Sequence, residues 1–127
     1  MTAKDDPEST RTSGLAHGQL CYLQIPALDA MVSAAFYEKI FAWKIERPYP
    51  SFEAPGLIGQ WVTDRQPAAG AGLLAWINVE HIDDILASVH ASGGEIVEPP
   101  SADGPRWIAT IRDPAGNVIG IVQHGPR

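Results

Sequence analysis

The chain has 127 residues, 45% hydrophobic and 19% charged, with a formal net charge of −6. That length suits one compact domain or two small repeated units sharing a core. The acidic balance excludes the basic stripe that a nucleic-acid partner requires, and a lone cysteine, Cys21, excludes an internal disulfide. No stretch approaches the roughly 20 apolar residues that cross a bilayer. Residues 1–18 are polar, without the apolar run of a signal peptide, so a disordered tail on a cytoplasmic protein is expected.

In chain order, Leu20–Ile25 has strand character and stops at Pro26, which a strand interior disfavours. Asp29 is a candidate cap for a helix through Phe41, with Leu28, Val32, Ala35, Phe36 and Ile40 at helical spacing. Trp43–Glu46 follows as a strand. The Pro-rich segment 46–56, ERPYPSFEAPG, is expected to be a loop at a cavity mouth, and 57–61, LIGQW, a further strand. A second series begins at Leu74. Leu74–Val79 is a strand, Asp83 a candidate cap, and Ile82, Ile85, Leu86 and Val89 an apolar helix face. Gly93-Gly94 ends that helix, Glu95–Val97 opens another strand, and 118–122, VIGIV, closes the series after the turn Asp113-Pro114-Ala115-Gly116-Asn117.

The two series match. Ile25, Leu28, Asp29 and Met31 fall on Val79, Ile82, Asp83 and Ile85, then Ile45 falls on Ile96, and LIGQW resembles VIGIV with Gly59 on Gly120. This repetition predicts an α+β fold of two βαβββ modules, about 19–66 and 72–124, within a domain over 19–127. Its curled mixed sheets enclose a cup-shaped cavity. Neither module can bury its sheet face alone, so the two join within one chain or across a homodimer.

On 25–46 (IPALDAMVSAAFYEKIFAWKIE), 78–100 and 111–123 (IRDPAGNVIGIVQ), the chain resembles the vicinal oxygen chelate superfamily of glyoxalase I, bleomycin-resistance proteins and extradiol dioxygenases. The resemblance covers about residues 18–124. It implies a divalent ion held by one ligand from the first and one from the last strand of each module, polarising vicinal oxygens. Carried over, those positions are Leu20, Gly59, Leu74 and Gly120. None has a donor side chain, so neither metal nor other cofactor is expected. His17, His81, His90 and His124 do not share a ligand spacing.

Strand alternation predicts the cup lining: Tyr22, Gln24, Gly59, Trp61, Trp76, Asn78 and Gly120, with Leu20, Leu74 and Val122. Cys21 falls on the helix side as a buried filler, and Trp107 has no assignable face. Gly120 either opens the cup floor or permits a bulge or sharp bend. The tryptophans either wall a ligand site or fill core or a subunit interface. Tyr22, Glu53 and His124 are the candidate proton acceptors for catalysis. No nucleophile–base pair or phosphate-binding loop is present; AAGAG at 68–72 joins the modules. Three functions are expected in order: a metal-free binder of a small aromatic or hydrophobic molecule, a metal-free isomerase, lyase or cyclase using proton transfer, and a metal-dependent lyase or dioxygenase.

Overall fold

The computed structural model describes residues 15–17 and 19–127. The expected tail over residues 1–18 lies outside the described residues except at 15–17. Two βαβββ units follow in order: β1 (Tyr22–Pro26), α1 (Ala30–Phe41), β2 (Lys44–Ile45), β3 (Ser51–Ala54) and β4 (Leu57–Val62), then β5 (Trp76–Asn78), α2 (Ile82–Val89), β6 (Glu95–Asp103), β7 (Arg106–Arg112) and β8 (Val118–His124). Each unit makes one mixed four-stranded sheet, ordered β1-β4-β3-β2 and β5-β8-β7-β6. In each, the first strand runs parallel to the last.

Local chemistry sets the helix ends. The Asp29 carboxylate accepts from the Met31 and Val32 N–H groups at 3.1 and 3.2 Å, a side-chain cap that satisfies two otherwise orphan donors. The second helix is capped differently from expectation. Its N-cap is His81, which makes no side-chain cap bond, and Gln123 of β8 accepts from the Ile82 N–H at 2.7 Å. Asp83 instead lies in the first turn, where a carboxylate suits the helix dipole, and pairs with Arg127 at 3.1 Å.

The segment 46–56 is only partly loop. Residues Ser51–Ala54 form β3, with Phe52 and Ala54 buried and Glu53 exposed. This alternation is the period of a half-buried strand, and it survives between Pro50 and Pro55 because the run is four residues long. Cys21 precedes β1 and is exposed, so it is not a core filler.

Both helices and the helix-facing sides of both sheets share one core. Its first half is aromatic. Tyr37 stacks on Trp43 (5.0 Å between centroids), Trp43 on Phe52 (4.7 Å), and Phe52 leans on Trp61 (4.8 Å). Its second half is aliphatic, from Ile82, Val89, Ala109, Ile111, Ile119 and Ile121. Trp107 packs against this core, with the Arg127 guanidinium 4.8 Å from its ring centroid. Burial of each large side chain contributes about 1.5–3 kcal/mol.

A buried polar node locks the halves together. Asp113, 2% exposed, accepts from the Tyr37 hydroxyl at 2.9 Å and from the Asn117 amide at 2.8 Å. Its other oxygen accepts from the Ala115 and Asn117 N–H groups. Asn117 donates to the Pro26 carbonyl at 2.7 Å and accepts from the Ala68 N–H. The Asp-Pro-x-Gly-Asn turn therefore ties β1, α1 and the inter-module linker to β8. Burial, then the neighbouring Asp113 charge, push the Tyr37 phenol well above its ordinary pKa, so it stays a donor.

Candidate functional site

The strand registers assign the side chains of the sheets to faces, except where the β6–β7 register shifts between Ile96 and Ser101. In the first module Tyr22 pairs with Ile58, Ile58 with Glu53, and Glu53 with Lys44, making one row across the sheet. Gln24, Gln60 and Ser51 form the next row. All point away from the helices, and the face is open: Tyr22 is 49% and Ile58 54% exposed. A concavity of about 430 Å³ lies over it, lined by Tyr22, Lys44, Glu53, Ile58 and Gln60 among others.

Trp61 lies on the opposite face, contrary to the expected cup lining, and Gly59 lines this concavity with its backbone while its Cβ position points to that opposite face. Trp61 is 1% exposed within the aromatic core, and its Nε1 has no hydrogen-bond partner. Gly59 pairs with Phe52, and a Cβ there would collide with the Phe52 ring and the Leu23 carbonyl. The matched glycines thus differ by one residue in phase. Gly120 pairs with Trp76 as Ile58 pairs with Tyr22, so Ile58 is the equivalent of Gly120.

The second module presents its own open face. One row runs Trp76, Gly120, Thr110, Glu98, and the next contains Asn78, Val122 and Ile108; His124 pairs with Arg106, which pairs with Asp103. Gly120 neither opens a cup floor nor marks a bulge. Its pairing with Thr110 is in regular register, and a Cβ would fall inside the Trp76 indole, with Cδ2 at 2.5 Å. The space a side chain would fill is occupied by the ring of a cross-strand neighbour. Trp76 is 47% exposed, with one side on the sheet and the other open.

Short bonds order the polar groups of this face. Thr110 donates to Glu98 at 3.0 Å, Arg106 to Asp103 at 3.3 Å, and His124 Nδ1 lies 3.1 Å from Asn78 Oδ1. Trp76, Asp103, Arg106, Ile108, Val122 and His124 line a concavity of about 280 Å³. No residue of the first module lines it, and none of the second lines the concavity over Tyr22. The two sheet faces thus carry separate concavities, while a third of about 720 Å³ lies between the modules, lined by Ala54, Pro55 and Leu57 of the first and by Trp76, Asn78 and His81 of the second. Of the proton-acceptor candidates, Tyr22 and Glu53 share the concavity of the first sheet face and His124 lines that of the second. Lys44, Ile58, Gln60, Thr110 and Arg106 were not among the expected lining residues. Tracing the ladders, which sequence alternation alone cannot do, is what finds them.

The residues at the metal positions do not fit a metal. Leu20 and Leu74 lie just before β1 and β5 as exposed apolar groups, Gly59 faces the core, and Gly120 is covered by Trp76. Ile58, the register equivalent of Gly120, has no donor either. Among the described residues no three His, Cys, Asp or Glu side chains gather as a ligand set. No helix among them is long and apolar enough to cross a membrane.

Residues 19–121 match the family model of the Glyoxalase/Bleomycin resistance protein/Dioxygenase superfamily, and the chain belongs to that family. A glyoxylase-like domain-containing protein of Didymella fabae is 29% identical over 119 residues, covering 83% of this chain and 93% of that protein. Among solved structures, a glyoxalase/bleomycin resistance protein/dioxygenase family enzyme from Burkholderia phytofirmans PsJN superposes with a TM-score of 0.68 at 18% identity, covering 81% of this chain and 96% of that one. TnmS3, an antibiotic binding protein from Streptomyces sp. CB03234, also gives 0.68 at 18% identity, covering 87% and 99%. At these identities the structural matches establish the shared fold.

Proposed function

We propose that this protein binds a small aromatic or hydrophobic molecule, without a metal, in a cup completed when the first open face of one copy meets the second open face of another. The observation that carries this reading is the pair of half-exposed aromatic platforms, Tyr22 beside Ile58 and Trp76 over Gly120, on sheet faces left half-open in the single chain. Contiguous exposed apolar surface of this kind marks binding or association sites. Amides and ion pairs around each platform supply the few polar contacts that orient such a ligand. The net charge of −6 favours a neutral or cationic ligand. The likeness to an antibiotic binding protein agrees with sequestration as the role. A cytoplasmic setting suits the exposed single thiol, Cys21.

A second reading, a proton-transfer enzyme of isomerase, lyase or cyclase type, is favoured by one observation: the His124–Asn78 contact beside Trp76 provides an oriented imidazole. Calorimetric titration with a panel of aromatic compounds tests binding. A hit should weaken at least about tenfold in Trp76→Ala, the loss expected when a stacking surface is removed. A panel without hits, or a hit indifferent to Trp76, refutes the binding site. Turnover of a bound compound that is lost in His124→Ala would establish the enzyme instead.

A further inference from the structure

The second open face carries an exposed imidazole, His124, held by one side-chain contact. His124 is the cross-strand partner of Arg106, and Asn78 that of Val122, two residues before His124 on β8. The His124 Nδ1 to Asn78 Oδ1 contact of 3.1 Å sets the state of the ring. An amide oxygen only accepts, so in the neutral ring this contact selects the Nδ1–H tautomer, in which Nε2 is the acceptor. The other charged groups lining this concavity answer one another, since Arg106 donates to Asp103. Its remaining walls, Trp76, Ile108 and Val122, are apolar. The concavity therefore offers one aromatic plane, apolar sides, the imidazole nitrogen and an Asp103 carboxylate bonded through one oxygen to Arg106.

From this geometry we infer that the concavity selects aromatic hydroxyl compounds, phenols or enols, over ligands of the same shape that lack the hydroxyl. The ring stacks on Trp76, the ligand O–H donates to His124 Nε2, and Asn78 is the positioning residue that holds the tautomer. A ligand without the donor covers Nε2 and leaves it unpaired, a cost equivalent to roughly tenfold in affinity. The inference rests on the reading of this face as part of a ligand cup and names its ligand class.

The test titrates the full chain with 2-naphthol and with 2-methoxynaphthalene by calorimetry. Wild type should bind the naphthol about tenfold more tightly, and His124→Leu should hold the two within about twofold, because no acceptor is then left unpaired under the ether. Asn78→Leu should shrink the preference and move the His124 ring proton from Nδ1 toward Nε2 in ¹⁵N NMR, a change that loss of packing alone would not produce. Equal binding of both probes by wild type, or a preference that survives His124→Leu, overturns the assignment and leaves the cup standing. Failure of both probes to bind overturns the cup reading along with it.

Discussion

Replacing Gly120 by alanine places a methyl group where the Trp76 indole lies, with Cδ2 at 2.5 Å and Cζ3 at 2.6 Å from the new Cβ. No Cβ tolerates such contacts, so the ring must leave the sheet. Trp76 is 47% exposed, so about half of an aromatic side chain's surface is covered, roughly 100 Å². At about 25 cal/mol per Å², losing that cover costs at most ~2.5 kcal/mol. The swung-out ring keeps some contacts, so a loss of about 1–2.5 kcal/mol is expected, a fall in Tm of roughly 4–10 °C for a chain of this size. Thermal melts at one fixed protein concentration measure it, because association makes Tm concentration-dependent. The decisive comparison is the double-mutant cycle. In a Trp76→Ala background the methyl meets open space, so Gly120→Ala should cost less than about 0.5 kcal/mol. An undiminished cost in that background would show that the glycine serves something other than the indole, and the account of this face would be wrong.

The inter-module node and the α2 cap yield two more expectations. Tyr37→Phe leaves the buried Asp113 carboxylate one donor short and should destabilise the fold by about 1–3 kcal/mol in chemical denaturation. Because the folded Tyr37 pKa is raised, its contribution is fully present below the unfolded phenol value of about 10 and is lost as pH climbs toward the folded one. Wild type should therefore lose stability above pH ~10 more steeply than Tyr37→Phe; parallel alkaline profiles would contradict this. Gln123→Met removes the acceptor of the Ile82 N–H and should cost about 1–2 kcal/mol, with hydrogen exchange in the first turn of α2 accelerating selectively. Unchanged protection of that turn would refute the capping role.

Much of this architecture is legible in the linear pattern because it is local. Asp29 and the apolar spacing after it specify α1, and the alternation in β5 and β8 puts Trp76, Asn78 and Gly120 on one face. What sequence reading misplaces is non-local. Aligning the repeat on its glycines sets β4 one residue out of phase, and a one-residue slip reverses a strand's faces, so Trp61 and Gly59 stand in for Ile58 and Gln60. Each glycine lies beneath an aromatic ring, but Phe52 covers Gly59 on the core side and Trp76 covers Gly120 on the open side. Composition cannot distinguish the two. The strand β3 is hidden by flanking prolines. The Gln123 cap and the Tyr37–Asp113 bond join residues far apart in sequence, so no local motif announces them. The Asp-Pro-x-Gly-Asn turn is visible as a turn, while its role as the clamp between modules appears only once Tyr37 and Pro26 are seen against it.

The claim on which the functional reading depends is that a second copy covers the open sheet faces. Sedimentation velocity at micromolar concentration tests it, with wild type beside Ile58→Glu, a charge placed on a side chain 54% exposed in the single chain, whose folding circular dichroism checks because Glu53 lies opposite it. Wild type should sediment at twice the 13.7 kDa chain mass and Ile58→Glu at the chain mass. A wild type that stays at single-chain mass throughout that range, or a variant that dimerises as well as wild type, would contradict the shared cup.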